Sequence, residues 1–241
     1  MQYTLPAVCI VCAFLFSSSL LFGLFADDFL WLSLYSGERF SHGDHTFKAF
    51  FFDAFSFFKG SSEELLNLKA QTLVPWWADD ALKIQFFRPI SAVTHWLDFS
   101  IFGNRYYWMH FHSIAWFCAL LWAIQKWYWV FLTDFIAVHS HFLIDIRKVF
   151  VFSLLIFSLD FSHLAPIYWL CNRNIIIASF FVFLSLWCFH CGLFSKVSDL
   201  SDLKSSSVQR NYLYFWSVIF YFFSIFSSEN AFFLVLFFPV Y

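Results

Sequence analysis

From Tyr3 to Ala26 the chain reads YTLPAVCIVCAFLFSSSLLFGLFA, and Asp27-Asp28 follow immediately. Those 24 positions carry no charged residue, and about 20 apolar residues suffice for a helix to cross the hydrocarbon core of a bilayer. The stretch reads as a membrane span, with two carboxylates where it meets water. It lacks a basic segment ahead of it, and Leu24 stands where a cleavage site would want a small residue, so it reads as a retained anchor rather than a signal peptide. An acid at such a place is either a boundary residue or the acid/base group of a membrane enzyme. The residues alone leave both open.

The composition agrees with a membrane protein. Of 241 residues, 61% are hydrophobic and 12% charged, about half the usual charged fraction. The net charge of −2 supplies no basic stripe for phosphate neutralisation, which excludes nucleic acid as a partner. The 40 phenylalanines single out no one position. Two CxxC pairs, Cys9/Cys12 and Cys188/Cys191 around His190, fall inside apolar runs, where cysteine serves as a small packing residue.

The fold class expected is all-α: a polytopic membrane protein of five to six transmembrane helices in a single domain. The first span occupies residues 1–26, and a long loop runs over 27–105. The other spans lie in 106–241. They are expected at about Tyr107–Ile124, closed by Lys126, at Val149–Phe161 (short unless it continues through Pro166), at Ile175–Phe194 and at Tyr212–Phe226, before a last apolar run at Ala231–Tyr241. Basic residues set the orientation. Lys126, Arg147 and Lys148 mark one loop, and Lys196, Lys204 and Arg210 another, while the alternate connections hold only Arg173 or none. The N-terminus and both basic loops are then cytoplasmic. Asp27, Asp28, Arg173 and Glu229 share the opposite side, in a bacterial inner membrane or an ER-type membrane.

The loop contains ten acidic and seven basic residues. Phe47, Phe50, Phe51, Phe55 and Phe58 recur at helical spacing, which predicts a helix lying in the interface plane. Ser61-Ser62-Glu63-Glu64 resembles a capping box opening a helix over Leu65–Leu73. Trp76 and Trp77 suit interfacial anchoring, and Arg88-Pro89 opens a helix leading to the second span.

Glycosyl transfer from a lipid phosphate needs a base for the acceptor hydroxyl, a cation for the departing phosphate, and a place for the lipid tail. Asp27 and Asp28 are the candidate bases. Arg88, its backbone held extended by the following proline, suits either a phosphate or an ion pair with Asp79, Asp80 or Asp98, the commoner role for such an arginine. Arg173 is either a second cation or an interfacial snorkelling residue. His110, near the outer end of the second span, is either a hydrogen-bonded interface residue or a metal ligand. Glu229 lies between apolar runs with no basic neighbour in sequence. It is either a functional intramembrane acid or part of a polar turn.

In order along the chain, these residues resemble the polytopic GT-C glycosyltransferases, and most closely the protein O-mannosyltransferase-like group. The resemblance is carried by Ala26-Asp27-Asp28-Phe29-Leu30, then by Phe87-Arg88-Pro89-Ile90-Ser91, Trp96-Leu97-Asp98-Phe99 and Ile101-Phe102-Gly103. His110 follows, then His163 with Trp169-Leu170-Cys171-Asn172-Arg173, and last Ser227-Ser228-Glu229-Asn230. It covers nearly the whole chain. It implies a polyprenyl-phosphate sugar as donor, Asp27 or Asp28 as catalytic base, and Arg88, Arg173, Glu229, His110 and His163 around one cavity. No cofactor is fixed, and a divalent metal stays open. The chain departs from the family at Ala165, where many relatives have glutamate, and at Ser228, where they have lysine. Its 241 residues correspond to the N-terminal half of such proteins. A catalytically inactive GT-C-like scaffold working with other membrane subunits is therefore the alternative function, and a lipid-linked substrate transporter a third.

Overall fold

The computed structural model describes residues 4–36, 51–70, 74–138, 145–194 and 203–236. The first apolar run is not one continuous helix. α1 covers Thr4–Leu15 and tightens into a 3-10 turn over Phe16–Leu21. Serines explain the change: Ser17 Oγ donates to the Phe14 carbonyl at 2.6 Å, a local bond that competes with the helical ladder. Phe22 is extended, and the chain turns at Ala26, whose φ of +47° is the left-handed conformation. α2 then begins at Asp28 and runs to Ser36. The acid pair thus opens a second helix, whereas the sequence reading has it close the first.

The loop builds a small roof of mixed structure. Strand β1 (Ser56–Lys59) pairs antiparallel with β2 (Lys83–Gln85), in the register Phe58 opposite Ile84. The fold is mostly all-α, as expected, but this two-stranded ribbon replaces the end of the helix expected from Phe47 to Phe58. Residues 37–50 lie outside the described residues, and the helical turn at 51–53 gives way to a turn and then the strand. Burial explains the switch. Ala54 and Phe55 are sealed against Trp31, and from Ser56 the backbone pairs with β2 instead of continuing the helical turn. α3 (Ser62–Ala70) starts where the capping serine predicts, with Leu65 N–H donating to the Ser61 carbonyl. α4 (Pro89–Phe102) follows Arg88 with proline at its first position, the place where the missing N–H costs nothing.

α5 is 33 residues long, Tyr106–Val138, and runs straight through Lys126, where a span end is expected. The lysine Nζ rests over the rings of Trp122 and Trp187 at 5.7 and 5.9 Å, so the helix has no need to stop. α6 (Ile146–Leu159) breaks at Asp160, whose carboxylate accepts from Ser162 N–H at 2.7 Å. The chain bends there by 46° before continuing to Tyr168, and Leu164–Tyr168 is α7. A 3-10 turn, Leu170–Arg173, leads into α8 (Asn174–Phe194), which packs against α9 (Leu203–Ile225). Ser185 and Ser217 exchange hydroxyl-to-carbonyl bonds of 2.9 and 3.0 Å across this pair, a small-residue contact that lets helices approach. A 3-10 segment, Glu229–Leu236, closes the described structure.

Among the described residues two helices are long and apolar enough to cross a bilayer, 106–135 and 170–194, and the bent pair around Asp160 makes a third if counted as one span. Of the other expected spans, the first contains a shorter apolar helix, Pro6–Leu21, Tyr212–Phe226 falls almost wholly within α9, which is not among the helices that qualify, and residues 237–241 of the last run lie outside the described residues.

Two cores divide the molecule. One lies within the bundle, where Val8, Cys12 and Phe16 meet Phe117, Leu121, Phe150 and Ile167. The other joins roof to bundle end: Trp31, Phe55, Ala92 and Phe99 pack with Met109, Leu170 and Cys171. The candidate acids and cations stand at that second junction.

Candidate functional site

The two aspartates have different environments. Asp28 is fully buried. Its Oδ2 accepts from Phe25 N–H at 3.0 Å while Asp28 N–H donates to the Phe25 carbonyl at 3.0 Å, a reciprocal turn of capping-box type. Its Oδ1 accepts from Cys171 N–H at 2.7 Å, 143 residues away. Burial pushes its carboxyl up to about 6, against backbone N–H donors and the charge of Arg173. Asp27 is less enclosed. It is half-buried, and among the described residues no donor is bonded to its carboxylate. Burial raises its pKa as well. Asp28 holds the turn, and Asp27 keeps its lone pairs with respect to the described residues.

The 3-10 turn before α8 connects the aspartates to the rest. The Asn174 amide, oriented by its neighbours, donates to the carbonyls of Cys171 (2.9 Å) and Asn172 (3.3 Å). Its oxygen accepts from Arg88 Nη1 (3.2 Å) and Ser228 Oγ (3.3 Å). Arg88 in turn forks onto Glu229. Its Nε donates to Oε2 at 2.8 Å, and its Nη2 donates to Oε1. The guanidinium also lies over the rings of Phe55 and Phe86, at 5.0 and 4.4 Å. Burial works to raise the Glu229 carboxyl, but the Arg88 bonds and charge outweigh it and hold it below the usual glutamate value. An unbroken run of bonds thus joins Asp28, Cys171, Asn174, Arg88 and Glu229.

Two further bonds seam the same elements together. Ile90 N–H donates to the Phe226 carbonyl (3.1 Å), and Ser91 Oγ to the Ser227 carbonyl (2.9 Å). The acid with no basic neighbour in sequence has found its partner 141 residues away. Of the alternative partners for Arg88, Asp80 pairs with Lys69 and Asp98 with Arg173.

Arg173 is buried completely, and its donors are committed. Nε bonds Ser113 Oγ (2.9 Å), Nη2 bonds the Met109 carbonyl (3.2 Å), and Nη1 bonds Asp98 Oδ2. Asp98 Oδ1 lies 2.6 Å from His112 Nδ1. Arg173 therefore fastens α8 to α4 and α5, and it is neither exposed at the interface nor open to a ligand. His110 is also buried, its ring nitrogens 3.4 Å from the Ile167 carbonyl and 3.3 Å from the Gly23 carbonyl, bridging two breaks in the bundle. His163 Nε2 donates to the Phe157 carbonyl at 2.7 Å. It lines a pocket of about 440 Å³ with Ser153, Asp160 and Ser162, at the α6 bend.

Beside the acid pair runs an apolar groove of about 510 Å³, lined by Phe22, Phe25, Leu164, Ala165, Tyr168 and Trp169. Ala165, the departure from the family pattern, lies in its wall. The indole N–H of Trp169 is buried there without a partner among the described residues. Neither Arg88 nor Arg173 lines this groove, so the single cavity expected to hold acids and arginines together is not what the groove provides. Arg88 reaches the acids through Asn174 and Cys171.

Sequence reading passed over Asn174, and it gave Cys171 and Trp169 no role beyond the stretch before Arg173. Nothing in their local pattern distinguishes them; only the 3-10 turn, which aims their amide, N–H and indole groups, does. Among the described residues, no group of three His, Cys, Asp or Glu could hold a metal ion. No family model, curated protein or solved structure matches the chain.

Proposed function

We propose that the protein is a multi-pass membrane glycosyltransferase of GT-C type, taking its sugar from a polyprenyl-phosphate donor. In this reading five to six spans enclose the bundle. The N-terminus is cytoplasmic, and the acid pair works on the opposite face. The observation that carries it is the run of bonds that joins Asp28, the neighbour of Asp27, through Cys171 and Asn174 to Arg88 and Glu229 from distant parts of the sequence, with an apolar groove lined by the adjoining Phe25.

Asp27 is the base. It is half-buried, no donor among the described residues is bonded to its carboxylate, and burial raises its proton affinity, which favours taking a proton from an acceptor hydroxyl. As that proton moves to Asp27, the hydroxyl oxygen bonds to the anomeric carbon. The anomeric carbon–phosphate oxygen bond breaks, and its electron pair leaves with the polyprenyl phosphate. Arg88, stacked on aromatic rings and bound through Nη1 to Asn174, offers a fixed guanidinium for that charge. The apolar groove beside Phe25 and Trp169 suits the polyprenyl tail.

A second reading, an inactive scaffold subunit, has its own observation: Arg88 is already neutralised by Glu229. One experiment separates them. The protein is reconstituted in liposomes with a radiolabelled polyprenyl-phosphate sugar and a hydroxyl acceptor, and Asp27→Asn is compared with wild type. Transfer by wild type and its loss in the variant, with helicity and tryptophan emission unchanged, is the expected result. Equal transfer by both removes Asp27 as base, and no transfer by either, with other subunits co-purifying in fixed ratio, favours the scaffold.

A further inference from the structure

Arg88 has the features of an anion site that is occupied by the protein itself. Its side chain is 12% exposed, whereas that of Glu229 is 48% exposed. The cation is fixed from three directions, by the rings of Phe55 and Phe86 and by the Asn174 oxygen. The carboxylate is not fixed in this way. It stands at the first position of a 3-10 segment, with half its surface free to water.

The two groups also differ in what their separation would disturb. The elements that carry them stay joined by the bonds from Ile90 to Phe226 and from Ser91 to Ser227. Glu229 can therefore swing off the guanidinium while roof and bundle remain together. The Nε and Nη2 hydrogens that it vacates form a planar fork, which matches two oxygens of a phosphate as well as those of a carboxylate.

We propose that Glu229 is a built-in competitor, a carboxylate that closes the Arg88 fork at rest and is displaced by the phosphate group of an incoming ligand. The ligand class is a phosphate monoester or diester, free or at the head of a lipid. Specificity follows from the competition, because a ligand must present two oxygens to the fork to match the bidentate carboxylate it removes. A neutral lipid gains nothing there. The seryl hydroxyl of Ser228, which donates to Asn174, holds the adjoining backbone in place as the glutamate leaves.

This inference deepens the glycosyltransferase reading and rests on it for the identity of the donor, but the competition can be measured without turnover. Binding of inorganic phosphate and of dodecyl phosphate is measured by calorimetry on the full chain in a nonionic detergent, for wild type, Glu229→Gln, Arg88→Gln and the double variant. Glu229→Gln keeps a side chain of the same shape, and thermal unfolding checks that it remains folded. The expected result is an affinity gain of about tenfold or more in Glu229→Gln, and no gain when Arg88→Gln is also present.

Tighter binding of both probes makes the phosphate group sufficient, and tighter binding of dodecyl phosphate alone makes the ligand a lipid; both support the competitor. Unchanged affinity in Glu229→Gln, or a gain that survives Arg88→Gln, overturns it. Should Glu229→Gln bind tighter while no preparation transfers sugar, the competitor stands and the transferase reading falls. Should wild type transfer sugar and Glu229→Gln bind no tighter, the reverse holds.

Discussion

Asp28 provides a test that reads the junction through its energetics. Its carboxyl is pushed up from 3.8 to about 6 by burial, a difference of about 2 units. At about 1.36 kcal/mol per unit, this corresponds to roughly 3 kcal/mol. The sign follows from proton counting. Between pH 4 and 6 the folded protein retains a proton that the unfolded chain has released, so stability falls as pH rises through that window. Above pH 6 both states are ionised, and the full penalty persists.

In Asp28→Asn this titration is gone. The amide oxygen can still accept from Cys171 N–H, but the NH2 group then faces the Phe25 N–H. A constant loss of about 1 kcal/mol is expected from that unmade bond. Unfolding free energies of both proteins in detergent, followed by tryptophan fluorescence from pH 4 to 7, give the comparison. The wild-type value minus the variant value should decline by about 3 kcal/mol across the range. Asp27, whose carboxyl is raised, and Glu229, whose carboxyl is lowered, titrate in both proteins and cancel. A flat or rising difference would refute the reasoning. It would mean that the backbone N–H groups of Phe25, Cys171 and Leu170, with Arg173, outweigh burial, and that Asp28 is a stabilised anion rather than a strained one.

Two other outcomes test the scaffold around the site. Arg173→Met leaves the Asp98 charge buried without its cation and should cost about 3–5 kcal/mol, most of it restored by Asp98→Leu in the same chain. A loss that Asp98→Leu fails to restore would show that Arg173 acts through Ser113 and Met109 instead. Phe117 is completely buried in the bundle core against Phe16 and His163, so Phe117→Ala should cost about 3–5 kcal/mol in the same unfolding assay. A cost below about 1 kcal/mol would mean that the core around α1 and α5 is not packed as described.

Much of the helical architecture was legible because it follows from local rules. An apolar run flanked by charge sets α8, the proline after Arg88 sets the start of α4, and the serine before Glu63 sets α3. The legible part ends where tertiary contacts override these rules. Lys126 looks like a helix terminus, but it lies on two tryptophans, and α5 continues. The Phe47–Phe58 spacing looks helical, but Phe55 is drawn into the core of Trp31 and the chain leaves as a strand. Asp160 and the serines after Leu15 break helices through side-chain bonds that composition does not display.

The same division holds at the junction. That Asp27, Asp28, Arg88 and Glu229 were residues to examine came from the sequence, because ionisable groups beside long apolar runs are few and expensive to bury. Their pairing is a tertiary matter. Arg88 and Glu229 are 141 positions apart, and a hydrogen bond forms only when folding brings donor and acceptor within about 3 Å, a distance that no local pattern encodes. Only the folded turn before α8 made Asp28 the buried anchor and placed Arg173 inside the core with Asp98.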